Sequence, residues 1–206
     1  MIMPNGSLRR ALTVIAGISA LFLAGCAAPN KWTPGEAIPP GQSIVISRST
    51  LISQDRDPSN SSGNPIYLTL QNERGEAFKT NKESFDQYAV KVVPSGVYGV
   101  AAMYERGGLS LQLKNGGRDE DGRYTLGFAY IPPNSVVYLG DVDVIYTKVR
   151  SGSSFLTRTT TYPFKTRIND NTASASSFLR TKDSRAAARM EFIPITFAPH
   201  LAAETP

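Results

Sequence analysis

Ser135-Val136-Val137-Tyr138-Leu139-Gly140-Asp141-Val142-Asp143-Val144-Ile145-Tyr146-Thr147 is the stretch on which the fold turns. Its even positions are apolar throughout: Val136, Tyr138, Gly140, Val142, Val144 and Tyr146. Its odd positions include Asp141 and Asp143. A helix would scatter these residues around its axis, whereas a strand sends alternate side chains to opposite faces. The run therefore predicts a long strand with its even face on a core and its aspartate-bearing face toward water. Paired carboxylates can serve acid–base chemistry or hold a cation, but on an exposed strand face the expectation is simple solvation.

The same period recurs outward from this run. Pro132-Pro133-Asn134 is a turn, preceded by a strand over Thr125–Ile131 that places Leu126, Phe128 and Tyr130 together. Earlier strands are expected over Ser43–Ser53, Ile66–Gln71, Tyr88–Val93 and Val97–Glu105. Ile66, Leu68 and Leu70 share one face of the second. Tyr88, Val90 and Val92 share one face of the third, and Tyr98, Val100, Ala102 and Tyr104 one face of the fourth. A Ser/Asn/Gly/Pro loop over 55–65 and the Pro94-Ser95-Gly96 turn punctuate them. A further strand spans Tyr162–Ile168. Short strands with frequent turn signals predict an all-β, antiparallel β-sandwich over residues 43–197.

One or two short helices are expected near the C-terminus. Asp170 and Asn171 are candidate caps for a helix whose Ala175, Phe178 and Leu179 share a face, and Asp183-Ser184 for a second turn through Ala186–Ala188. Glu191–Phe197 reads as a last strand that Pro194 confines to an edge. Residues 198–206 lack pattern and are expected to be a disordered tail.

The N-terminus carries a separate signal. Arg9 and Arg10 precede about 14 mostly apolar residues, Ala11–Ala24, well short of the roughly 20 needed to span a bilayer. Leu23-Ala24-Gly25 then leads to Cys26, the chain's one cysteine. This is the layout of a secretory signal, with residues 1–25 removed. The tetrapeptide resembles the lipobox of bacterial lipoproteins, which implies cleavage before Cys26 and acylation of its thiol. Stable anchoring takes at least two acyl chains, and a diacylglyceryl cysteine supplies them. Ala27 and Ala28 follow, with no aspartate after the cysteine. By that resemblance the chain is expected in the outer membrane, facing the periplasm. Residues 26–42 are rich in proline and glycine and read as the lipidated N-terminus and a tether. At roughly 3.1 Å per residue that tether would reach about 50 Å. Trp32 within it either sits at the headgroups or packs on the domain.

Composition narrows the chemistry. The chain has 206 residues and a net charge of +5. Loss of Arg9 and Arg10 with the leader lowers the charge to about +3, spread along the chain, which is no nucleic-acid footprint. An acylated Cys26 leaves no thiol for a disulfide. The one histidine, His200, falls in the expected tail, a poor seat for a rigid general base. Arg118-Asp119-Glu120-Asp121-Gly122 has the flavour of a calcium loop but lacks the late bidentate glutamate, so a solvated hairpin loop is expected. Arg150, Arg158, Lys165 and Arg167, with Thr157–Tyr162, form a basic region. It reads either as a contact for anionic lipid or glycan phosphate, or as a charged edge that discourages strand addition. No phosphate-binding glycine loop and no zinc spacing occurs, so no cofactor is expected.

Two stretches carry a further resemblance. Pro94-Ser95-Gly96-Val97-Tyr98 and Ile131-Pro132-Pro133-Asn134-Ser135-Val136-Val137-Tyr138-Leu139-Gly140-Asp141-Val142 resemble the P-x-G-x-Y and PPNxxxYLGD turn-strand motifs of a broad group of uncharacterised bacterial envelope lipoproteins. Ile168-Asn169-Asp170 followed by Ala173–Leu179 fits the strand-helix segment that follows in that group. The resemblance implies a prealbumin-like β-sandwich and carries over no catalytic residue. Proline fixes φ and glycine supplies positive φ, so these motifs are turn chemistry. Tyr98 and Tyr138 are expected to bury their rings and leave their hydroxyls at the rim.

The functional expectation is a non-enzymatic envelope lipoprotein with a binding or scaffolding role. Its partners would be membrane lipid through acylated Cys26 and an envelope protein. An accessory subunit of an envelope secretion or transport assembly is the first alternative, and a hydrolase of envelope polymers the second.

Overall fold

A computed structural model describes residues 32–54, 64–80, 88–105, 110–112, 117–147, 149–151, 159–161 and 163–201. All fall within the unit Lys31–Pro206. The leader, Cys26, Arg158 and residues 202–206 lie outside the described residues.

The strands are β1 (Gln42–Ser53), β2 (Asn64–Asn72), β3 (Ala77–Lys79), β4 (Ala89–Pro94), β5 (Gly96–Glu105), β6 (Ser110–Gln112), β7 (Gly127–Ile131), β8 (Val136–Tyr146), β9 (Val149–Ser151), β10 (Thr159–Thr161), β11 (Phe164–Asn169), β12 (Met190–Phe192) and β13 (Thr196–Phe197). Two short helices, α1 (Thr172–Arg180) and α2 (Ser184–Ala188), precede β12. The protein is an all-β sandwich, as its alternation predicts. The hydrogen-bonded path runs β11-β8-β1-β2-β5-β7-β13, with β4 on β1, β12 on β8, and β3 and β6 on β2 and β5. Most pairs are antiparallel, but β8 runs parallel to both β1 and β12. The path bends into two layers at β1. The first half of β1 pairs with β4, and Thr50 and Leu51 pair with β2.

Between the layers lies the larger core. Val45, Leu51, Val137, Leu139, Val142 and Val144 of one layer meet Ile66, Leu68, Leu70, Tyr98, Val100 and Ile131 of the other. A second cluster covers the outer face of the β1–β8 layer. Ile44, Ile46, Tyr88, Val92, Val136 and Tyr138 pack there against Ala175, Leu179, Ala186 and Ala187 of the helices. The central strands are thus buried on both faces, which is why β8 is apolar at odd and even positions alike.

Two bulges redistribute the faces. Ile46 pairs with Tyr138 but Arg48 with Asp141, so β8 holds one extra residue at Leu139-Gly140. Gly140 sits at φ +93°, and a Cβ there would lie 2.5 Å from Ile168 Cγ2. Only glycine fits such a bulge. Before it, Val137 and Leu139 face the larger core, and after it Val142 and Val144 do. The expected single even face is corrected accordingly. A second bulge lies in β5, where Thr69 pairs with Ala102 and Leu70 with Val100. Tyr98 and Val100 point inward before it and Met103 after it, in place of the expected Ala102 and Tyr104.

Both chain ends of the domain are more structured than the sequence implies. Trp32 and Ile38 pack against the helix-covered cluster, and the Gly35 N–H donates to Asp183 Oδ2 at 2.9 Å. Residues 32–41 are therefore not free tether. At the other end, Pro194 divides the expected last strand, and the chain crosses from β12 on β8 to β13 on β7. Residues 198–201 are not frayed. The Ala198 N–H donates to Leu126 O, Thr166 Oγ1 donates to Leu201 O, and Leu201 is buried. The missed pattern is a three-residue 3-10 helix, Pro199–Leu201, too short for a periodic signal.

Candidate functional site

The bulge at Gly140 turns Asp141 and Asp143 onto the helix-covered face, and the expectation that they meet water is corrected. Asp141 is 4% exposed and Asp143 9%. A buried carboxylate is costly unless donors surround it, and the neighbouring strands supply them. Arg48 lies directly across from Asp141 on β1, and Asn169 across from it on β11. Asp141 Oδ2 accepts from Arg48 Nη2 and from Asn171 Nδ2 at 2.7 Å. Tyr138 OH donates to Asp141 Oδ1 at 2.8 Å, and Tyr88 OH lies 3.5 Å from Oδ2. Four elements meet at one side chain: β1, β8, the residue leading into β4, and the entry to α1.

Beside it stands a more open pair. Asp143 Oδ2 accepts from Arg167 Nη2 at 2.8 Å, Arg167 Nε at 3.2 Å and Asn169 Nδ2 at 2.8 Å. Arg167 is thus committed to Asp143 and does not join Lys165 in a free basic region. Arg150 belongs to the β9–β10 ribbon, and Arg158 lies outside the described residues. Of the four expected basic residues, the side chains of Lys165 and Arg167 are described, and that of Arg167 is held by Asp143.

The Asp141 charge shapes the electrostatics of its neighbours. Burial alone would lower the Arg48 pKa, but the hydrogen bond and charge of Asp141 outweigh it and raise it. Burial, then the Asp141 charge, raises Tyr88. Burial and the hydrogen bond to Asp141 raise Tyr138 far above the ordinary phenol. Both hydroxyls therefore stay protonated and donating. The Tyr88 ring lies 5.0 Å from the Arg48 guanidinium carbon and 6.0 Å, edge-on, from the Tyr138 ring. Arg48 Nε has no acceptor among the described residues. The Tyr138 hydroxyl is deep in the structure and not at the rim as expected. Tyr98 is likewise buried, at 1% exposure, and its hydroxyl donates to Pro94 O at 2.9 Å across the Pro94-Ser95-Gly96 turn.

The arrangement restrains chemistry more than it enables it. Asp141 already accepts at both oxygens, so it has little capacity left for a substrate proton. Among the described residues no serine, cysteine or histidine side chain is bonded to Asp141. Among the described residues no group of three His, Cys, Asp or Glu side chains is placed to hold a metal. The Arg118–Gly122 segment closes on itself: Asp119 Oδ1 accepts from the N–H groups of Asp121 and Arg123, and Arg118 bridges Tyr124. His200 is exposed on the 3-10 helix.

Sequence reasoning found Asp141 and Asp143 but missed Arg48, Tyr88, Tyr138 and Asn171 as their partners. One signal was present: a glycine inside a strand marks a bulge, and counting faces afresh after Gly140 puts Asp141 in line with Val136 and Tyr138. Asn171, expected as a cap, makes no side-chain cap bond, and its Nδ2 donates to Asp141. Asp170 instead accepts from the Thr172 N–H. Compared with protein-family models, with curated proteins and with solved structures, the chain finds no match.

Proposed function

We propose that this chain is a lipid-anchored protein of the bacterial envelope, held at Cys26 in the outer membrane and facing the periplasm, with a non-enzymatic binding or scaffolding role. The observation that carries the reading is the succession of Leu23-Ala24-Gly25-Cys26 and, a few residues on, a folded unit that begins at Lys31. A lipid-bearing cysteine a few residues before a folded unit suits display of that unit at a membrane. The buried network at Asp141 supports a structural use of its polar side chains, since Arg48, Tyr138 and Asn171 all donate to that one carboxylate. The turn-strand motifs around Pro94 and Pro132 support a sandwich of the prealbumin type and the envelope lipoprotein group they resemble.

A second reading is an accessory subunit of an envelope assembly. It draws on β11, which pairs only with β8 among the described residues and so offers its other edge to a partner strand.

The test is palmitate labelling and fractionation of wild type and Cys26→Ser. Wild type takes up label and sediments with outer membranes, whereas Cys26→Ser takes up none and accumulates as precursor. Equal labelling of the two overturns the anchor. Crosslinking in intact cells separates the two readings, because the second requires a protein adduct through β11.

A further inference from the structure

We infer that the α1–α2 turn and α2 form a cationic face that docks the domain onto the anionic phosphate headgroups of the membrane holding Cys26. The inference rests on the lipid anchoring proposed above. Arg180, Lys182, Arg185 and Arg189 are all exposed. None makes an ion pair within 4.0 Å among the described residues, where the pairs involve Arg48, Arg118, Arg123 and Arg167. Lys182 Nζ lies 5.1 Å over the Phe178 ring, and Arg189 donates to the carbonyl of Asn134. The one acidic residue among them, Asp183, is already engaged. Its Oδ1 accepts from the N–H groups of Arg185 and Ala186, and its Oδ2 from that of Gly35. These backbone donors, that of Ala186 first, hold the Asp183 pKa below the ordinary carboxylate value. On the entering chain Glu36 is the flanking acid. Four cations stand against Asp183 and Glu36, and Asp183 also feels the charge of Arg185, so the face keeps a net positive charge.

Its position gives that charge a target. Trp32 and Ile38 pack on the same cluster as α1 and α2, and Gly35 is hydrogen-bonded to the cap of α2. The chain therefore enters the domain alongside the helices. Ala27–Lys31 separate Cys26 from Trp32, and fully extended they reach about 20 Å. A domain of this length is roughly 40 Å across. Under the proposed anchoring that short reach favours contact by the half of the domain at which the chain enters, where the helices carry Arg180, Lys182, Arg185 and Arg189. Each basic residue close to an anionic surface strengthens binding by about fivefold. Docking by this face also leaves the outer face of the β5–β7 layer, with exposed Phe128 and Tyr130, turned toward the periplasm.

The test uses the purified lipoprotein reconstituted into vesicles of phosphatidylcholine, with or without about one-third phosphatidylglycerol. Flotation with neutral vesicles reads the anchor, and amide hydrogen exchange over 181–189 reads docking. We expect flotation with both vesicles, with exchange slowed about tenfold on anionic vesicles alone and restored by 0.5 M salt (about 4 Å of screening length). The variant R180Q/K182Q/R185Q/R189Q should float normally and lose the slowing. R185Q/R189Q, with fewer changes, should lose most of it, and K165Q none. Equal exchange on the two membranes overturns the inference, as does slowing that survives the fourfold variant. Failure to float with neutral vesicles overturns the anchor and, with it, this inference. A fourfold variant that unfolds transfers the decision to R185Q/R189Q. Slowing that appears only when an envelope protein is added also overturns it, in favour of a protein partner.

Discussion

Asp141→Ala tests whether the buried network holds the helical cap to the sheet. Asp141 is 4% exposed and accepts from Arg48, Tyr138 and Asn171. Its removal leaves the fully buried Tyr138 hydroxyl without an acceptor, at a cost of about 1–3 kcal/mol. Breaking a fully buried ion pair costs about 3–5 kcal/mol. Arg48 regains part of that from water, because its side chain is 34% exposed. The expected loss is about 3 kcal/mol, or roughly 6–12 °C in Tm for a domain of this size. Asp143→Ala is the internal comparison. The side chain of its partner Arg167 is 37% exposed, at a strand edge, so about 1 kcal/mol is expected. Urea and thermal unfolding of the two variants beside wild type measure the difference. Equal losses, or a loss below about 1 kcal/mol for Asp141→Ala, would refute the claim that four elements depend on this carboxylate.

Gly140→Ala should destabilise by about 3 kcal/mol, because it combines a positive φ with a Cβ driven into Ile168. A loss under about 1 kcal/mol by urea unfolding would show that the bulge relaxes. Truncation after Phe197 should cost about 2–3 kcal/mol by removing buried Leu201 and its hydrogen bond from Thr166. His200→Ala should stay within about 0.5 kcal/mol, since the side chain is exposed. Matching Tm values for the truncated and full chains would return 198–201 to a frayed tail. Burial, then the Glu76 charge, pushes Tyr98 from 10.0 up to about 12. A folded pKa above the unfolded one stabilises fully below pH 10 and less as pH rises toward 12, so unfolding midpoints should hold up to pH 10 and then fall. Tyr98→Phe should flatten part of that fall, Tyr88 and Tyr138 carrying the rest, and an unchanged profile would count against the assignment.

Strand order along the chain was legible because a strand repeats every two residues, and Ile66, Leu68 and Leu70 or Tyr88, Val90 and Val92 advertise their face without reference to anything distant. The helices were legible for the same reason: Ala175 and Leu179 lie on one stripe, and Asp183 does cap α2. The turns at Pro94 and Pro132 were readable from local residue types: Gly96 takes the expected positive φ, 144°, and Asn134 one of 54°. Each of these is set by residues within a few positions of one another.

What the sequence left to the tertiary structure is which face each residue finally joins. A single inserted residue reverses every side chain after it, so Gly140 sent Asp141 and Asp143 inward although their own alternation pointed to water. Whether that inward carboxylate is tolerable depends on Arg48 and Asn171, far away in the chain and brought within hydrogen-bond reach only when β8 lies parallel to β1 and α1 closes over them. The same holds for Trp32, Ile38 and Leu201. In sequence they stand among prolines with no period, and only the surfaces they meet, one covered by helices and one between the layers, turn them into core. Periodicity records local geometry, whereas burial is a property of the partner surface, and the partner is chosen by the fold.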